Sequence, residues 1–310
     1  MSEPLRLAGP APAAADGRFA PSPSGPLHLG NLRTALLAWL FARGAGARFL
    51  VRIEDLDPGR SREEHVTGQL ADLAAIGLDW DEEPVRQSGR GEHYAAAIQQ
   101  LEAQGLVYPC WCTRAEIRAA VAAPHGDEPE GAYPGTCRDL TPAQRAERAS
   151  SGRPPALRLR AGGARHTVTD RVHGVLDGVV DDMVLHRGDG AFAYNLGVVV
   201  DDAAQGIGEV VRGDDLLACT PGQAWLGERL GLRTPGWAHV PLVRGYDGAR
   251  LAKRHGAVTL ADQAAAGHQR AAVRARLGAE LGLIEPGEPA SPALLVERFR
   301  ERVLSAEVTA

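Results

Sequence analysis

A lone histidine stands between two glycines in "RFAPSPSGPLHLGN" (residues 18–31), a stretch that also holds three prolines. Prolines cannot continue a strand ladder, so the chain must turn here and expose backbone at a sheet edge. His28, flanked by Gly25 and Gly30, could then touch nucleotide phosphates, because neither glycine has a side chain to obstruct them; the bland alternative is a proline-rich connection with a surface histidine. A second string, "RIEDLDPGR" (52–60), sets Glu54, Asp55 and Asp57 within four positions. Such acids repel one another unless a cation sits among them, and a substrate ammonium would serve; otherwise this is a solvated acidic turn. A third, "GARLAKRHGAV" (248–258), gathers Arg250, Lys253, Arg254 and His255. Cations on a glycine-flanked loop can close over a triphosphate and stabilise departing pyrophosphate, although most basic clusters are only solvated surface.

Cysteines carry the fourth pattern. Cys110, Cys112 and Cys137 crowd together while Cys219 stands apart, which reads as a metal site rather than a disulfide framework. Tetrahedral structural zinc needs four ligands, so three thiolates require one more, and generic ligand rules nominate His125. Cys219 reads as a buried apolar residue, and three metal-free thiols remain the plain alternative.

The elements that must position these groups alternate. "ARFLVRI" (47–53) has strand length, and a helical pattern from Arg62 to Ile76 follows with Val66, Leu70 and Leu73 on one side. Asn31 is placed to cap an earlier helix through Ala35, Leu36, Leu37, Trp39 and Leu40. Strand and helix in alternation predict a parallel α/β sheet with crossovers. Residues 110–155 shift to Pro, Gly, Arg and Glu and read as an insertion. Strands are predicted again in "ALRLRA", "DMVLHR", "AFAYNLGVVVDD" and "IGEVVRG", with a helix near Pro221–Leu230 and a helical region from about Thr259. The organisation expected is a tail (1–16), two halves of a catalytic domain (17–109 and 156–245) around the insertion (110–155), and a C-terminal part (246–310).

Composition sets bounds. The 310 residues are 44% hydrophobic and 24% charged, ordinary for a soluble enzyme, and the net charge of -5 excludes a general polyanion binder, so any nucleic acid must be met by a local patch. No apolar run is long enough to span a membrane, and residues 1–16 lack the apolar centre of a signal peptide; a cytoplasmic monomer is expected.

Taken together the strings resemble the class I glutamyl-type aminoacyl-tRNA synthetases. His28-Leu29-Gly30-Asn31 stands at the family's HIGH tetrapeptide, with Asn at its fourth position. Arg250-Leu251-Ala252-Lys253-Arg254 stands at the KMSKS loop, with Arg and Ala replacing the first lysine and the serine. The resemblance implies a Rossmann-type doubly wound sheet with an inserted zinc-bearing subdomain and a helical, stem-contacting C-terminal region. It implies that His28, Gly30 and Lys253 serve catalysis, and that His28, Gly30, Asn31, Arg250 and Lys253 hold ATP. It places L-glutamate among Arg18, Ala20, Ser22, Glu54, Tyr194 and Arg212, with Glu54 facing the amino group and the paired arginines implying an acidic amino acid. It names Tyr133 instead of His125 as the fourth ligand to one structural Zn²⁺ beside Cys110, Cys112 and Cys137, a pattern of one subgroup. Beyond His255 there is room for a few helices only, where the family's ordinary members continue into an anticodon-binding domain. That combination implies the subgroup that uses ATP and Mg²⁺ to activate glutamate and transfers it to queuosine in the anticodon of tRNA(Asp). Alternatives are a shortened glutamyl-tRNA synthetase charging the 3′ end, a small-molecule nucleotidyltransferase, and a paralogue that only binds tRNA.

Overall fold

The computed structural model describes residues 15–121, 133–243 and 258–308. In chain order the elements are β1 (Gly17–Phe19), α1 (Leu29–Gly44), β2 (Phe49–Ile53), α2 (Glu63–Ala75), β3 (Val85–Arg86), α3 (Gly91–Ala103), β4 (Val107–Cys110), α4 (Arg114–Val121) and α5 (Pro142–Ala149). Then come β5 (Ala156–Leu159), β6 (Arg165–Asp170), β7 (Gly174–Val179), β8 (Val184–His186), α6 (Tyr194–Ala204), β9 (Glu209–Gly213), α7 (Thr220–Arg229) and β10 (Gly236–Val240). The chain closes with α8 (Leu260–Ala265), α9 (Arg270–Glu280) and α10 (Pro292–Val308).

Strands β1, β2 and β3 form one parallel array in the order β1-β2-β3, and β9, β10 and β6 pair parallel in a second, with β7 added antiparallel at its edge. The arrays meet where the Gly208 and Glu209 amides donate to the Asp16 carbonyl, 2.9 and 3.2 Å away. The central strands are buried on both faces. Phe49, Val51 and Ile53 of β2 pack with Val211, Ala238 and Val240, while the intervening Leu50 joins Val210 and Trp237 on the other side. Helices therefore cover both faces, as short connections between parallel strands require. On one face α1 buries Leu32, Leu36, Leu37 and Leu40 among residues of α9 and α10; each such side chain contributes about 1.5–3 kcal/mol. On the other, α3, α6 and α7 join Tyr94, Leu101, Leu196 and Leu226. No described helix is long and apolar enough to cross a membrane.

A small antiparallel sheet, β4-β5-β8, carries the cysteine-bearing segment, with Cys110 ending β4.

Two local expectations change. "AFAYNLGVVVDD" is not a strand: Ala193 caps helix α6, which starts at Tyr194. Its valine run favours a strand locally, but the helical turn buries Leu196 and Val200 against α3 and α7, and that packing outweighs propensity. Asn31 does not cap α1 either. His28 does, its Nδ1 accepting from the Asn31 amide while Asn31 Oδ1 accepts from the His28 amide, both at 3.1 Å, a reciprocal capping box.

Candidate active site

The carboxyl ends of β1, β2 and β9 open into one cavity of about 550 Å³. Arg18, Ala20, Ser22, Glu54, Tyr194 and Arg212 line it together with His28, Gly30 and Asn31. Parallel strands deliver these side chains, Tyr194 at the start of α6 excepted, because their loops all leave the sheet on the same edge.

Its floor is a buried charge network. Arg18 donates from Nε and Nη2 to both carboxylate oxygens of Asp202, at 3.0 and 3.2 Å, and Arg52 donates to Asp202 Oδ1 at 2.7 Å and to Glu54 Oε1 at 3.3 Å. The adjacent Asp201 turns the other way on α6, accepting from Gln87 at 2.8 Å and Tyr94 at 2.7 Å and from Arg90. Burial would pull the Arg52 guanidinium down, but Asp202, Glu54 and Asp201 outweigh it and its pKa is raised. Burial pushes Asp202 up, yet Arg18 and Arg52 outweigh that and hold it below the usual carboxylate range. At Glu54 burial wins over Arg52 and Arg18, and the carboxyl stands above its ordinary value. An arriving ammonium would favour the ionised form, so Glu54 suits an amino group. Burial and then the Glu54 charge push Tyr194 up to about 12, which leaves its hydroxyl a donor at neutral pH.

Arg212 is held differently. It donates from Nε to His239 Nε2 at 2.9 Å and from Nη2 to Thr220 Oγ1 at 3.0 Å, with the Leu216 carbonyl and Cys219 sulfur further out at 3.4 and 3.8 Å. Its Nη1 is buried and has no partner. Every hydrogen-bond partner of Arg212 among the described residues is neutral; Glu54 and Asp215 line the same cavity but neither bonds it, which leaves Nη1 to seat a carboxylate.

On the opposite wall, His28 Nδ1 serves as an acceptor for the helix cap, so the neutral ring keeps its proton on Nε2. A Cβ on Gly30 would lie 3.0 Å from His28 Cε1 and Nδ1, so glycine there leaves the imidazole its place. A Cβ on Gly25 would meet nothing within 4 Å, so the backbone there borders open space. The positive end of α1 points the same way and favours anions. Arg250 and Lys253 lie outside the described residues; of their flanks, Val243 lines the cavity and Val258 accepts from the Leu29 amide at 2.7 Å.

A second cavity, about 730 Å³, shares Ser22, Glu54 and Tyr194 with the first and runs past Arg60, Arg158 and Arg187 to Cys110 and Cys112. There Cys110, Cys112 and Cys137 bring their sulfurs within 4.8 Å of one another. The Tyr133 hydroxyl lies 3.3 Å from the Cys110 sulfur and 3.5 Å from that of Cys112, so three sulfurs and one oxygen lie together, a donor set compatible with zinc. Burial pushes the Cys112 thiol up to about 12, and a divalent cation is what would make the cluster thiolate. His125 lies outside the described residues.

Sequence reasoning missed Arg52, Asp201, Asp202, His239, Asp170 and Thr220. Two adjacent acids on an apolar helix at 201–202 were the available signal, since buried acids demand cationic partners.

Known proteins resemble this chain over most of its length. Residues 15–280 match the tRNA synthetases class I (E and Q), catalytic domain. The chain is 63% identical over 267 residues to the glutamyl-Q tRNA(Asp) synthetase of Nocardia farcinica, covering 86% of this chain and 85% of that one. It is 49% identical over 295 residues to the protein of that name from Symbiobacterium thermophilum, covering 91% of each. Among solved structures, a glutamate tRNA ligase from Elizabethkingia meningosepticum superposes with a TM-score of 0.77 at 27% identity, over 92% of this chain and 64% of that one.

Proposed function

The chain belongs to the class I tRNA synthetases of the E and Q type, and from that premise we propose that it activates L-glutamate with ATP and transfers the glutamyl group to queuosine in the anticodon of tRNA(Asp). The observation that carries the acidic-substrate reading is the buried, unpartnered Nη1 of Arg212 in the same cavity as Glu54. Arg212 seats the side-chain carboxylate and Glu54 the ammonium, with the Tyr194 hydroxyl beside them. Arg18, already spanned by Asp202, shapes the wall and adds its remaining N–H groups.

The α-carboxylate is left pointing at the nucleotide wall, where His28 Nε2 donates to phosphate. A carboxylate oxygen bonds to the α-phosphorus as the bond to the bridging oxygen breaks, giving glutamyl-adenylate and pyrophosphate. Mg²⁺ bound with ATP would offset the phosphate charge, and we assign Lys253 and Arg250 the same task toward the leaving pyrophosphate on the strength of the motif they stand in. A queuosine hydroxyl then attacks the acyl carbon, its proton passes to the phosphate of the departing AMP, and the ester forms. The second cavity, meeting the first at Ser22, Glu54 and Tyr194, is the path for that acceptor, and its arginines suit a nucleic acid backbone. Zinc on Cys110, Cys112, Tyr133 and Cys137 would stiffen the wall of that path. We assign residues 110–155 to this acceptor-facing insertion.

Transfer of labelled glutamate onto tRNA(Asp) prepared with and without queuosine tests the proposal. Transfer to the modified tRNA alone supports it; equal transfer to both, or transfer only to tRNA(Glu), means that the chain charges a 3′ end.

A further inference from the structure

Three neighbouring strands each place one polar residue in a row at the carboxyl edge of the sheet. Asp170 ends β6, His239 lies on β10, and Arg212 on β9 is the registered partner of His239. Both carboxylate oxygens of Asp170 are occupied. Oδ1 accepts from the Val172 and His173 amides, each at 2.9 Å, while Oδ2 accepts from the His239 amide at 3.0 Å and pairs with His239 Nδ1 at 2.7 Å. The imidazole is fully buried, and its other nitrogen, Nε2, receives the Arg212 Nε donor. A nitrogen that accepts cannot carry the proton, so the ring is neutral with its hydrogen on Nδ1, given to Asp170.

The consequence is electrostatic. Arg18 meets a carboxylate that spans its guanidinium, whereas Arg212 is fixed on the equivalent edges by an uncharged ring and a hydroxyl. The nearest anion in the row, Asp170, is separated from Arg212 by the whole imidazole. We infer that His239, its tautomer set by Asp170, is a positioning residue that orients Arg212 with a neutral acceptor and so reserves the arginine's charge for the substrate carboxylate. The inference rests on the glutamate reading proposed above and assigns selection of glutamate over glutamine to a residue that touches no substrate.

Asp170→Asn is the decisive variant. Two backbone amides hold the side-chain oxygen at the Oδ1 place against the single His239 amide at Oδ2, so the new amide nitrogen takes the Oδ2 place, gives up that one backbone bond, and makes His239 Nδ1 accept. The proton moves to Nε2 and opposes the Arg212 Nε–H, donor against donor. In glutamate-dependent ATP–pyrophosphate exchange with tRNA present, the KM for glutamate rises at least tenfold while that for ATP stays within twofold, and the preference over glutamine falls. Long-range imidazole ¹H–¹⁵N spectra show Nδ1–H in the unsubstituted chain and Nε2–H in the variant. An unsubstituted chain carrying Nε2–H, or a switched tautomer with an unchanged glutamate KM, overturns the inference. If Asp170→Asn does not fold, His239→Gln and His239→Leu decide. The glutamine carbonyl can accept from Arg212 and loses less than fivefold, leucine loses tenfold or more, and equal values for the two overturn it. Exchange driven by another amino acid and not by glutamate would sink the glutamate reading, while the tautomer spectra still judge the row of residues.

Discussion

Replacing Arg212 with methionine removes the charge while keeping most of the side chain's length, and its effect can be worked from the contacts. Nη1 alone is unused, so a bound carboxylate gains a charge-assisted bond of about 1.5–3 kcal/mol. Coulomb attraction at 4 Å adds up to about 4 kcal/mol at an effective dielectric of 20, part of which the same bond already counts. A net loss of about 3–4 kcal/mol is a fall of roughly 10²–10³ in kcat/KM for glutamate. The fold loses less. Thr220 Oγ1 lies 3.1 Å from His239 Nε2 and can turn its hydroxyl to the nitrogen that Arg212 leaves, so the buried acceptor is not orphaned. Pyrophosphate exchange measured against both substrates gives the answer: a large rise in the glutamate KM with the ATP KM within twofold is expected. Equal losses for the two substrates, or an unchanged glutamate KM, would refute the assignment of Arg212 to the carboxylate.

Two further outcomes follow from the site. Cys110→Ser should lower bound zinc, measured by atomic emission after purification, to near nothing, because three thiolates and a phenol become two; full zinc content would place the metal elsewhere. Glu54→Gln should raise the glutamate KM tenfold or more without lowering Tm at neutral pH. Glu54 has a raised pKa, so its favourable share of stability is complete below the ordinary value of 4.5 and is lost as pH rises through the folded value. The neutral glutamine escapes that loss, and melting curves should show any advantage of the variant vanishing below about pH 4.5; a Tm several degrees lower at pH 7 contradicts this account of Glu54.

Much of the site was legible because its chemistry sits in short loops. Pro21, Pro23 and Pro26 break a strand wherever they stand, glycines beside His28 keep the turn open, and Cys110-x-Cys112 can be read without knowing what folds over it. The alternation of apolar segments was enough to expect a parallel sheet, whose loops must share an edge. Asn31 and Tyr194 show the limit. His28 could be recognised as a cap only from its bond to the Asn31 amide, and the valines after Tyr194 read as a strand until α3 and α7 are packed against them.

Sequence alone therefore determined the types of group that this protein gathers at its candidate site, since turn chemistry and metal-ligand spacing are local properties of the chain. Tertiary structure alone decided which of the cavity's Arg18 and Arg212 bonds a carboxylate of the chain and which does not. Arg18 meets Asp202 across 184 residues, while Arg212 meets His239 across a pair of strands 27 residues apart. No local period encodes such partners; they arise when burial removes water and each polar group must take whatever the neighbouring element offers.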